Sequence, residues 1–470
     1  MSPRDEKKWI FHPRSVALVG VPPELGDQVN QLFLQPLLRL GYKGKIYLVH
    51  PRATSGPGFK AFGRIKEITD EIDYVISSIP ARFTPELIRD CVAKRVKAVS
   101  LFTSGFSETG KEYGTRLEKE ILEIARHNGI RVIGPNCLGL YCPKSGLGFG
   151  SPSPQKGPVG FLSQSGGVAR ILLEGGAERG IYFSKAVSYG NACDLNESDF
   201  LEYFASDPET KVITAYIEGV KNGSRFLKVL REAAKKKPVV VVKGGRTKSG
   251  TRAALSHTAS LAGTWAVWEG IFKQAGVILA SNLDELADLV IAFVLLPPPS
   301  GRRVGLMEIS GGTGILSADI CESAGLLVPQ FSGGLLKKLS DFSPGPGTSI
   351  RNPIDSWSLF LQGSQERSSK AMKLVIYSNE VDLLIFEYFS PAYQSRWGLE
   401  AQAEGIIEAA KEKVIPVIIA LPPPLSPIGW ETYSNLKQKY AQAKIPVYPS
   451  VSRAAGATSK LIDYLACRQA

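Results

Sequence analysis

With 470 residues the chain is too long to be built around one hydrophobic core, and its length predicts about three domains. Hydrophobic residues make up 44% and charged residues 21%, which is the composition of an ordinary soluble globular protein. The formal charge is +12, which could indicate nucleic-acid binding. However, the basic residues are scattered, and no dense basic run contains interleaved aromatic residues. An anionic small substrate or an acidic partner subunit explains the charge at least as well.

The N-terminal segment carries no export signal. Residues 1–15, MSPRDEKKWIFHPRS, are charged and lack the hydrophobic region of a signal peptide. The most apolar run, residues 286–299, contains Asp288 and ends in three prolines, so it is too short to span a bilayer. We therefore expect a cytoplasmic protein that has no membrane segment.

Short β-branched runs alternate with longer helical patterns along the chain, which predicts parallel sheets covered by helices. The predicted strands cover residues 15–19, 45–49, 73–78, 97–102, 131–134, 159–163, 185–189, 211–217, 238–243, 303–309, 381–389, 416–421 and 445–450. Two stretches rich in proline, glycine and serine, residues 145–158 and 295–303, interrupt the pattern. They divide the chain into three α/β domains, which we place at residues 1–148, 149–298 and 299–470.

The first domain has the pattern of a Rossmann-like mononucleotide-binding sheet. An NAD site places Asp or Glu at the end of the second strand, where it binds the ribose hydroxyls. Here that strand ends in His50, Pro51 and Arg52. A cation at this position suits a ligand with an additional phosphate near its ribose, and both NADP and coenzyme A (CoA) are such ligands.

Glycine- and serine-rich turns follow strands in all three domains, at residues 18–26, 161–167 and 308–314. Open sheets bind phosphorylated ligands in such turns, at the carboxyl ends of parallel strands. In the second domain, SQSGG at residues 163–167 precedes a helical pattern and predicts a helix N-terminus that binds phosphate. Glu218 follows another apolar strand, so it is expected at the same edge of the sheet.

Residues 243–263, KGGRTKSGTRAALSHTASLAG, place His257 among small residues and cations, without an apolar stripe. This composition predicts an anion site in which a neutral imidazole can accept a phosphoryl group covalently. We expect a helix to begin near Ser260 and to direct its positive end at the anion. If Glu218 contacts His257, it holds one ring nitrogen protonated and leaves the other free as the nucleophile. The alternative is a solvated surface loop and a solvated strand-end carboxylate. The cations are Lys243, Arg246, Lys248 and Arg252.

The cysteines lie singly, without metal-ligand spacing or a disulfide framework, which predicts core thiols and no metal site. They are Cys91, Cys137, Cys142, Cys193, Cys321 and Cys467.

Several segments, in this order, resemble the NDP-forming acyl-CoA synthetases, in particular the α subunits of ADP-forming acetate–CoA ligases, which are relatives of succinyl-CoA synthetase. The most specific are the histidine segment at residues 243–263 and YIEGVKNG at 216–223. The others are FHPRSVALVG at 11–20, GFSETG at 105–110, IRVIGPNCLGL at 130–140, FLSQSGG at 161–167, GNACDLNESDFLEYFASDP at 190–208 and NPID at 352–355.

The resemblance implies a Rossmann-like CoA-binding domain followed by two flavodoxin-like domains of the succinyl-CoA synthetase type. It implies a reversible reaction in which acyl-CoA, ADP and phosphate give an acid, CoA and ATP through acyl phosphate and a phosphohistidine. His257 is then the phosphorylated nucleophile and Glu218 orients and stabilises it. The implied phosphate-binding residues are Ser165, Gly166 and Gly167, and the implied CoA-binding residues are Gly20, Arg52, Pro80, Asn136 and Cys137. Cys137 is not implied as a nucleophile.

The nucleotide site is expected on a partner. The sequence has no GxxxxGK[ST] phosphate loop and no pattern of an ATP-grasp domain. The resemblance therefore implies a separate ATP-grasp β subunit that binds ADP or ATP with Mg²⁺, in an α2β2 assembly. The acid stays open, with acetate as the default. The alternative from another class is a CoA-binding regulatory module that has the fold without turnover; an NADP-dependent dehydrogenase is supported by the first domain alone.

Two positions depart from the family pattern. The family has a small Gly-Ala-Ser turn after the first strand, whereas this chain has Gly20, Val21, Pro22 and Pro23. The two prolines remove backbone donors from a loop that is expected to approach CoA. Ala259 stands where the family often has glycine, which adds a methyl group near the nucleophile.

Overall fold

The computed structural model describes residues 8–24, 26–258, 264–308, 310–341, 349–355, 365–389, 393, 399–412 and 414–469. The chain divides into two compact units, Met1–Leu286 and Ala287–Ala470. The first unit contains two sheets and the second unit contains one.

The first sheet has the strand order β3-β2-β1-β4-β5-β6, and all its strands are parallel. This is the doubly wound Rossmann order, in which ligands bind where the strand order reverses, at the carboxyl ends of β1 and β4. The strands are β1 (Ser15–Val19), β2 (Lys45–Val49), β3 (Lys60–Phe62), β4 (Tyr74–Ser77), β5 (Ala98–Leu101) and β6 (Arg131–Ile133), and the helices are α1 (Gln28–Arg39), α2 (Thr84–Ala93) and α3 (Glu112–His127).

The second sheet has the order β12-β11-β10-β8-β9-β7, and only β7 runs antiparallel to its neighbour. Without β7 this is the flavodoxin-like order 2-1-3-4-5. The strands are β7 (Gly139–Tyr141), β8 (Lys156–Ser163), β9 (Phe183–Ser188), β10 (Val212–Ile217), β11 (Val239–Lys243) and β12 (Ile278–Ala280). The helices that follow β8 are α4 (Gly166–Gly176), α5 (Glu197–Ser206), α6 (Gly223–Lys236), α7 (Lys248–Thr258), α8 (Trp265–Ala275) and α9 (Leu283–Leu295).

The sheet of the second unit has the order β14-β13-β15-β16-β17, which is again flavodoxin-like and parallel. Its strands are β13 (Val304–Glu308), β14 (Ile354–Asp355), β15 (Leu383–Glu387), β16 (Val417–Ala420) and β17 (Val447–Tyr448). Its helices are α10 (Gly311–Ser323), α11 (Gly333–Ser340), α12 (Gln365–Ile376), α13 (Leu399–Ala410), α14 (Trp430–Gln442) and α15 (Val451–Gln469).

Most strand residues in the middle of the sheets are buried, because helices cover both faces of each parallel sheet. Every residue of β1, β9, β11 and β13 is buried. The second unit packs Phe386, Ile406, Ile419 and Leu436 into one apolar core. The predicted α/β class, with three sheets of mostly parallel strands, is therefore confirmed.

A tight joint connects the two sheets of the first unit. The turn after β9 lies against the turn after β6, where the N–H of Asn191 donates to the carbonyl of Pro135 (3.0 Å) and the N–H of Cys193 to that of Gly134 (2.9 Å). Gly190 has a φ of +51°, and a Cβ there would lie 2.2 Å from the Pro135 oxygen. The GPNC and GNACD motifs thus form one contact between sheets.

Each predicted strand corresponds to an observed strand, but the prediction omitted β3, β7, β12 and β14, which have only two or three residues. The helix start predicted near Ser260 falls outside the described residues, so it stays a prediction. The backbone of His257 lies in α7, which ends at Thr258, and α8 begins at Trp265; residues 259–263 lie outside the described part of the chain. Helix α7 begins directly after Thr247, whose Oγ1 accepts the N–H of Gly250 (3.1 Å) in the manner of an N-cap.

In the part of the chain that the structure describes, no helix is both long and apolar enough to cross a membrane.

Candidate active site

The predicted phosphate-binding residues lie at the N-terminus of α4, directly after the carboxyl end of β8. Ser165 is the N-cap, and its Oγ accepts the N–H of Val168 (3.3 Å). Gly166 and Gly167 form the start of the helix, where the first backbone N–H groups have no partner within the helix and the macrodipole is positive. A Cβ at Gly166 would press on Leu138 at 3.1 Å, whereas Gly167 is exposed. The geometry is that of an anion site.

Glu218 is placed beside this helix by strand pairing. It follows β10, the neighbour of β8, and only 5% of its surface is exposed. The Tyr216 hydroxyl is hydrogen-bonded to the Glu218 carboxylate; burial first, and then the charge and hydrogen bond of that carboxylate, raise the pKa of Tyr216 well above its usual range. The carboxylate of Glu218 is thus part of a buried polar cluster rather than a solvated strand end.

Gln164 joins the two strand ends, and the sequence analysis did not single it out. Its side-chain Oε1 accepts the backbone N–H of Glu218 (2.8 Å) and that of Gly219 (3.1 Å). The backbone N–H of Gln164 donates to the Tyr216 carbonyl (3.1 Å). The side chain is buried. The only signal in the sequence was its position inside SQSGG.

Lys243 and Arg246, two of the four cations near His257 in the sequence, have partners within the protein. Lys243 is buried and its Nζ donates to the carbonyls of Glu218 (2.7 Å) and Gly244. The Arg246 guanidinium lies 4.4 Å from the centre of the Trp265 ring and donates to the carbonyl of Ser281 (3.2 Å). Lys243 and Arg246 therefore bind groups of the protein itself, while Lys248 and Arg252 are exposed on α7.

Helix α7, which contains His257 and is called the histidine helix, starts at the same edge of the second sheet. It follows β11 through Gly244 and Gly245, and Gly245 has a φ of +75°, which glycine adopts without strain. Helix α7 packs against Ser107–Thr109, in the turn after β5 of the first sheet. The side chain of His257 lies outside the described residues, so its contact with Glu218 stays a prediction.

Three of the predicted CoA-binding residues follow adjacent strands of the first sheet: Gly20 after β1, Arg52 after β2 and Pro80 after β4. Gly20 has a φ of +81° and donates its N–H to the Val49 carbonyl (2.9 Å). Arg52 is exposed and forms an ion pair with Glu24 at 3.4 Å. These residues meet at the switch point, where the Rossmann topology places ligands.

The start of α1 differs from that of a dinucleotide-binding helix. Oδ1 of Asp27 accepts the N–H groups of Val29 (2.7 Å) and Asn30 (3.2 Å), and the buried Asn30 side chain donates to the Pro22 carbonyl (2.7 Å). Donors that bind a pyrophosphate in the Rossmann fold are thus already used by an acidic side chain.

Asn136 and Cys137 follow β6, two strands away from Pro80. Asn136 has a φ of +57° and is half-buried, and Cys137 is buried with its Sγ 3.4 Å from the Ile133 carbonyl. Burial raises the pKa of the Cys137 thiol to about 12, so it is protonated at neutral pH.

The other cysteines are also free. Five of the six are buried, whereas Cys467 is exposed, so the prediction of a core thiol was wrong at that position. Across the described ranges, no group of three or more His, Cys, Asp or Glu side chains could hold a metal ion.

Comparison with known proteins identifies the family. A model of the CoA binding domain matches residues 14–143, and a model of the succinyl-CoA ligase like flavodoxin domain matches residues 156–293. The subunit alpha of acetate–CoA ligase [ADP-forming] II from Pyrococcus furiosus is 38% identical over 408 residues, which are 86% of this chain and 87% of that protein. The chain belongs to the ADP-forming acetate–CoA ligase family.

Members of the ADP-forming acetate–CoA ligase family differ in length. The Methanocaldococcus jannaschii acetate–CoA ligase [ADP-forming] is 39% identical over 352 residues, 74% of this chain, and the match spans 49% of that relative. Acetyl-coenzyme A synthetase 1 of Ca. Korarchaeum cryptofilum, solved in complex with phosphate and ADP, is 31% identical with a TM-score of 0.82, and the match covers 98% of this chain and 97% of that chain.

Proposed function

We propose that this chain is the α subunit of an ADP-forming acyl-CoA synthetase that interconverts acyl-CoA, ADP and phosphate with acid, CoA and ATP. The observation that carries the proposal is the buried Glu218 beside the N-terminus of α4, in a chain that belongs to the acetate–CoA ligase family. A binding module has no physical need for such a carboxylate next to a phosphate-binding helix end.

The proposal gives each part of the chain a task. Residues 1–148 bind CoA, residues 149–298 carry the phosphohistidine chemistry, and residues 299–470 form the second flavodoxin-like ligase domain. Strand β7 lies within residues 1–148 but pairs with β9 of the second sheet, so it connects the CoA-binding range to the sheet that carries the phosphohistidine chemistry.

In the transfer step, the imidazole of His257 attacks the phosphorus of acyl phosphate, a P–N bond forms, and the P–O bond to the acyl group breaks to release the carboxylate. Glu218 holds the proton on the other ring nitrogen and stabilises the charge of the phosphorylated ring. The N–H groups of Gly166 and Gly167, with Ser165 as the cap, bind the phosphoryl oxygens.

In the first sheet, Gly20 lets the backbone approach CoA, Arg52 offsets its phosphate charge, and Pro80, Asn136 and Cys137 line the site. Because Asp27 occupies the start of α1, the pyrophosphate is bound by Arg52 and the strand ends rather than by that helix. Cys137 is buried and supplies no nucleophile.

The second half of the reaction takes place on a partner. Relatives named as alpha subunits imply a β subunit. We propose that it has the ATP-grasp fold, binds ADP or ATP with Mg²⁺, receives the phosphoryl group from His257 and assembles with this chain as α2β2. The acid is a small carboxylate, with acetate as the first to be tried.

Phosphorylation tests the proposal. The chain is purified with its candidate β subunit, incubated with γ-labelled ATP and Mg²⁺, and assayed for acid-labile, base-stable label. We expect label on this chain that is lost in His257→Asn and kept in the control His127→Asn, which changes an exposed histidine at the end of α3. An intact assembly that binds CoA without label would instead favour the regulatory module.

A further inference from the structure

Two turns meet at the candidate active site, and one side chain joins them. Strands β10 and β11 are parallel neighbours in which Ile217 pairs with Lys243, so Glu218 and Gly244 begin the two turns side by side. The Nζ of Lys243 donates to the carbonyl of Glu218 at 2.7 Å and to the carbonyl of Gly244. A single ammonium group therefore connects the Glu218 turn to the turn that leads into the histidine helix α7.

The backbone of Glu218 is held from both sides. Its N–H and that of Gly219 donate to Oε1 of Gln164, and its carbonyl accepts from Lys243. Fixing both peptide planes around Glu218 also fixes the direction of its Cα–Cβ bond. The orientation of the carboxylate thus depends on two buried side chains that belong to the neighbouring strands.

Lys243 also contacts the helix that is described after the histidine segment. Its Nζ lies 4.8 Å from the centre of the Trp268 ring, in α8, the first helix described after that segment. Trp268 is buried against Phe226 and Phe272, with ring centres 5.8 Å and 5.5 Å away. One ammonium group therefore contacts both Gly244, at the start of the histidine segment, and Trp268, in the helix described after it.

This position carries a desolvation cost. Lys243 is 2% exposed, and burying an ammonium ion is unfavourable unless it is hydrogen-bonded and paired. Burial lowers the pKa of Lys243 to about 8, while the nearby Glu218 carboxylate favours the charged form. The two strands already pair through the N–H of Gly244 and the carbonyl of Ile217 (2.8 Å), so an apolar side chain could maintain the sheet here.

We infer that Lys243 is a positioning residue of the phosphohistidine site, which orients Glu218 relative to the histidine segment for phosphoryl transfer. The inference rests on the proposed function, because it assigns Glu218 and His257 to that transfer. It adds a residue that touches neither the phosphoryl group nor CoA and acts through the backbone of Glu218 and through Trp268.

The chain contains a matched control at the opposite end of β11. Lys237 donates its Nζ to the carbonyls of Phe204 (2.6 Å) and Asp207, and burial lowers its pKa to about 8 as well. It resembles Lys243 in chemistry but lies at the amino end of the sheet. Lys237→Met therefore measures the cost of losing such a lysine without disturbing the candidate active site.

The test compares Lys243→Met with Lys237→Met in the complex with the β subunit. The rate of phosphohistidine formation from labelled ATP, the Kd of CoA and the thermal midpoint are measured for each. We expect K243M to slow phosphorylation roughly 10- to 100-fold, as misplaced catalytic groups do, with a CoA Kd within about twofold of wild type. K237M should lose thermal stability and keep the wild-type rate. Lys243→Arg, which keeps the charge, should recover part of the rate.

The outcomes separate the two proposals. If K243M is phosphorylated at the wild-type rate, or is slowed only as much as K237M, Lys243 has no specific positioning role. Either result would overturn this inference and leave the proposed function intact. Should K243M fail to fold, unchanged labelling of Trp268→Leu would overturn it instead. Wild-type complex that binds CoA and takes no label would overturn the proposed function and the inference together.

Discussion

Glu308 and Glu387 form a pair of adjacent carboxyl groups at the ends of β13 and β15. These strands are parallel and pair Met307 with Phe386, so the glutamates that follow lie side by side. Glu308 is fully buried. Burial first, and then the hydrogen bond and charge of Glu387, raise the pKa of Glu308 to about 9. The Glu308–Glu387 pair therefore holds a proton in the folded protein at neutral pH.

This shift predicts the pH dependence of stability. In the unfolded chain Glu308 has a pKa near 4.5, so between pH 4.5 and about 9 the folded state holds a proton that the unfolded state has released. The free energy of unfolding therefore falls as pH rises through that window, with a slope of at most about 1.4 kcal/mol per pH unit. Glu308→Gln removes the titration, so its stability relative to wild type should increase from pH 5 to pH 9.

Denaturant unfolding at pH 5, 7 and 9 measures this difference. The control is Glu322→Gln, which changes an exposed carboxyl group on α10 and should follow the pH dependence of wild type. Parallel curves for E308Q and wild type would contradict the protonated state of Glu308.

The residues of the candidate site differ in how far the sequence could predict them. Glu218 could be singled out because a carboxylate directly after an apolar strand marks the functional edge of a parallel sheet. Gln164 could not be singled out, and Lys243 was predicted only as a cation near the anion site, because the partners of both side chains are backbone groups of Glu218, 54 and 25 residues away. Those partners come together only when β8, β10 and β11 pair, and a single sequence does not show the strand order.

At the scale of elements, the strands were predictable and the exact helix starts were not. Buried parallel strands are continuous apolar runs that stand out in the sequence. The start of α7 depends on Thr247, one of several hydroxyl residues in a segment where Ser249, Thr251 and Ser256 are equally plausible caps by type. The three-residue strands exist because a neighbouring strand pairs with them, so their own residues carry little pattern.

The cap of α1 gives a prediction at this scale. Asp27→Ala removes the acceptor for two N–H groups and should cost about 1 kcal/mol of stability, whereas Asp27→Asn keeps the cap and should cost little. Denaturant unfolding of the two variants measures this difference.

If the CoA pyrophosphate is bound away from this helix end, D27A and wild type should have CoA Kd values within about threefold, since no contact is gained or lost. A tenfold tightening in D27A would show that the exposed helix end can take the pyrophosphate.

At the scale of the whole chain, motifs that are separate in the sequence meet in the first unit. The GPNC turn at residues 134–137 contacts the GNACD turn at 190–194 through paired backbone hydrogen bonds. The Arg131 guanidinium adds an ion pair with Asp194 at 2.8 Å. The side chain of Asn191 donates to Glu118 (3.1 Å), which also accepts the Ser107 hydroxyl (2.6 Å) in the turn that α7 packs against. The polar network thus joins the two sheets and reaches the turn against which the histidine helix packs.

This arrangement predicts a division of labour between subunits. The CoA sheet has its own apolar core, so the chain alone should bind CoA. Its sequence has no GxxxxGK[ST] phosphate loop, and the proposed function places ADP on the β subunit. We therefore expect no ATP from ADP, acyl-CoA and phosphate with the chain alone, and ATP once the β subunit is added, as measured by coupled luminescence. ATP made by the chain alone would refute the two-subunit assignment, because the phosphoryl acceptor would then bind within these 470 residues.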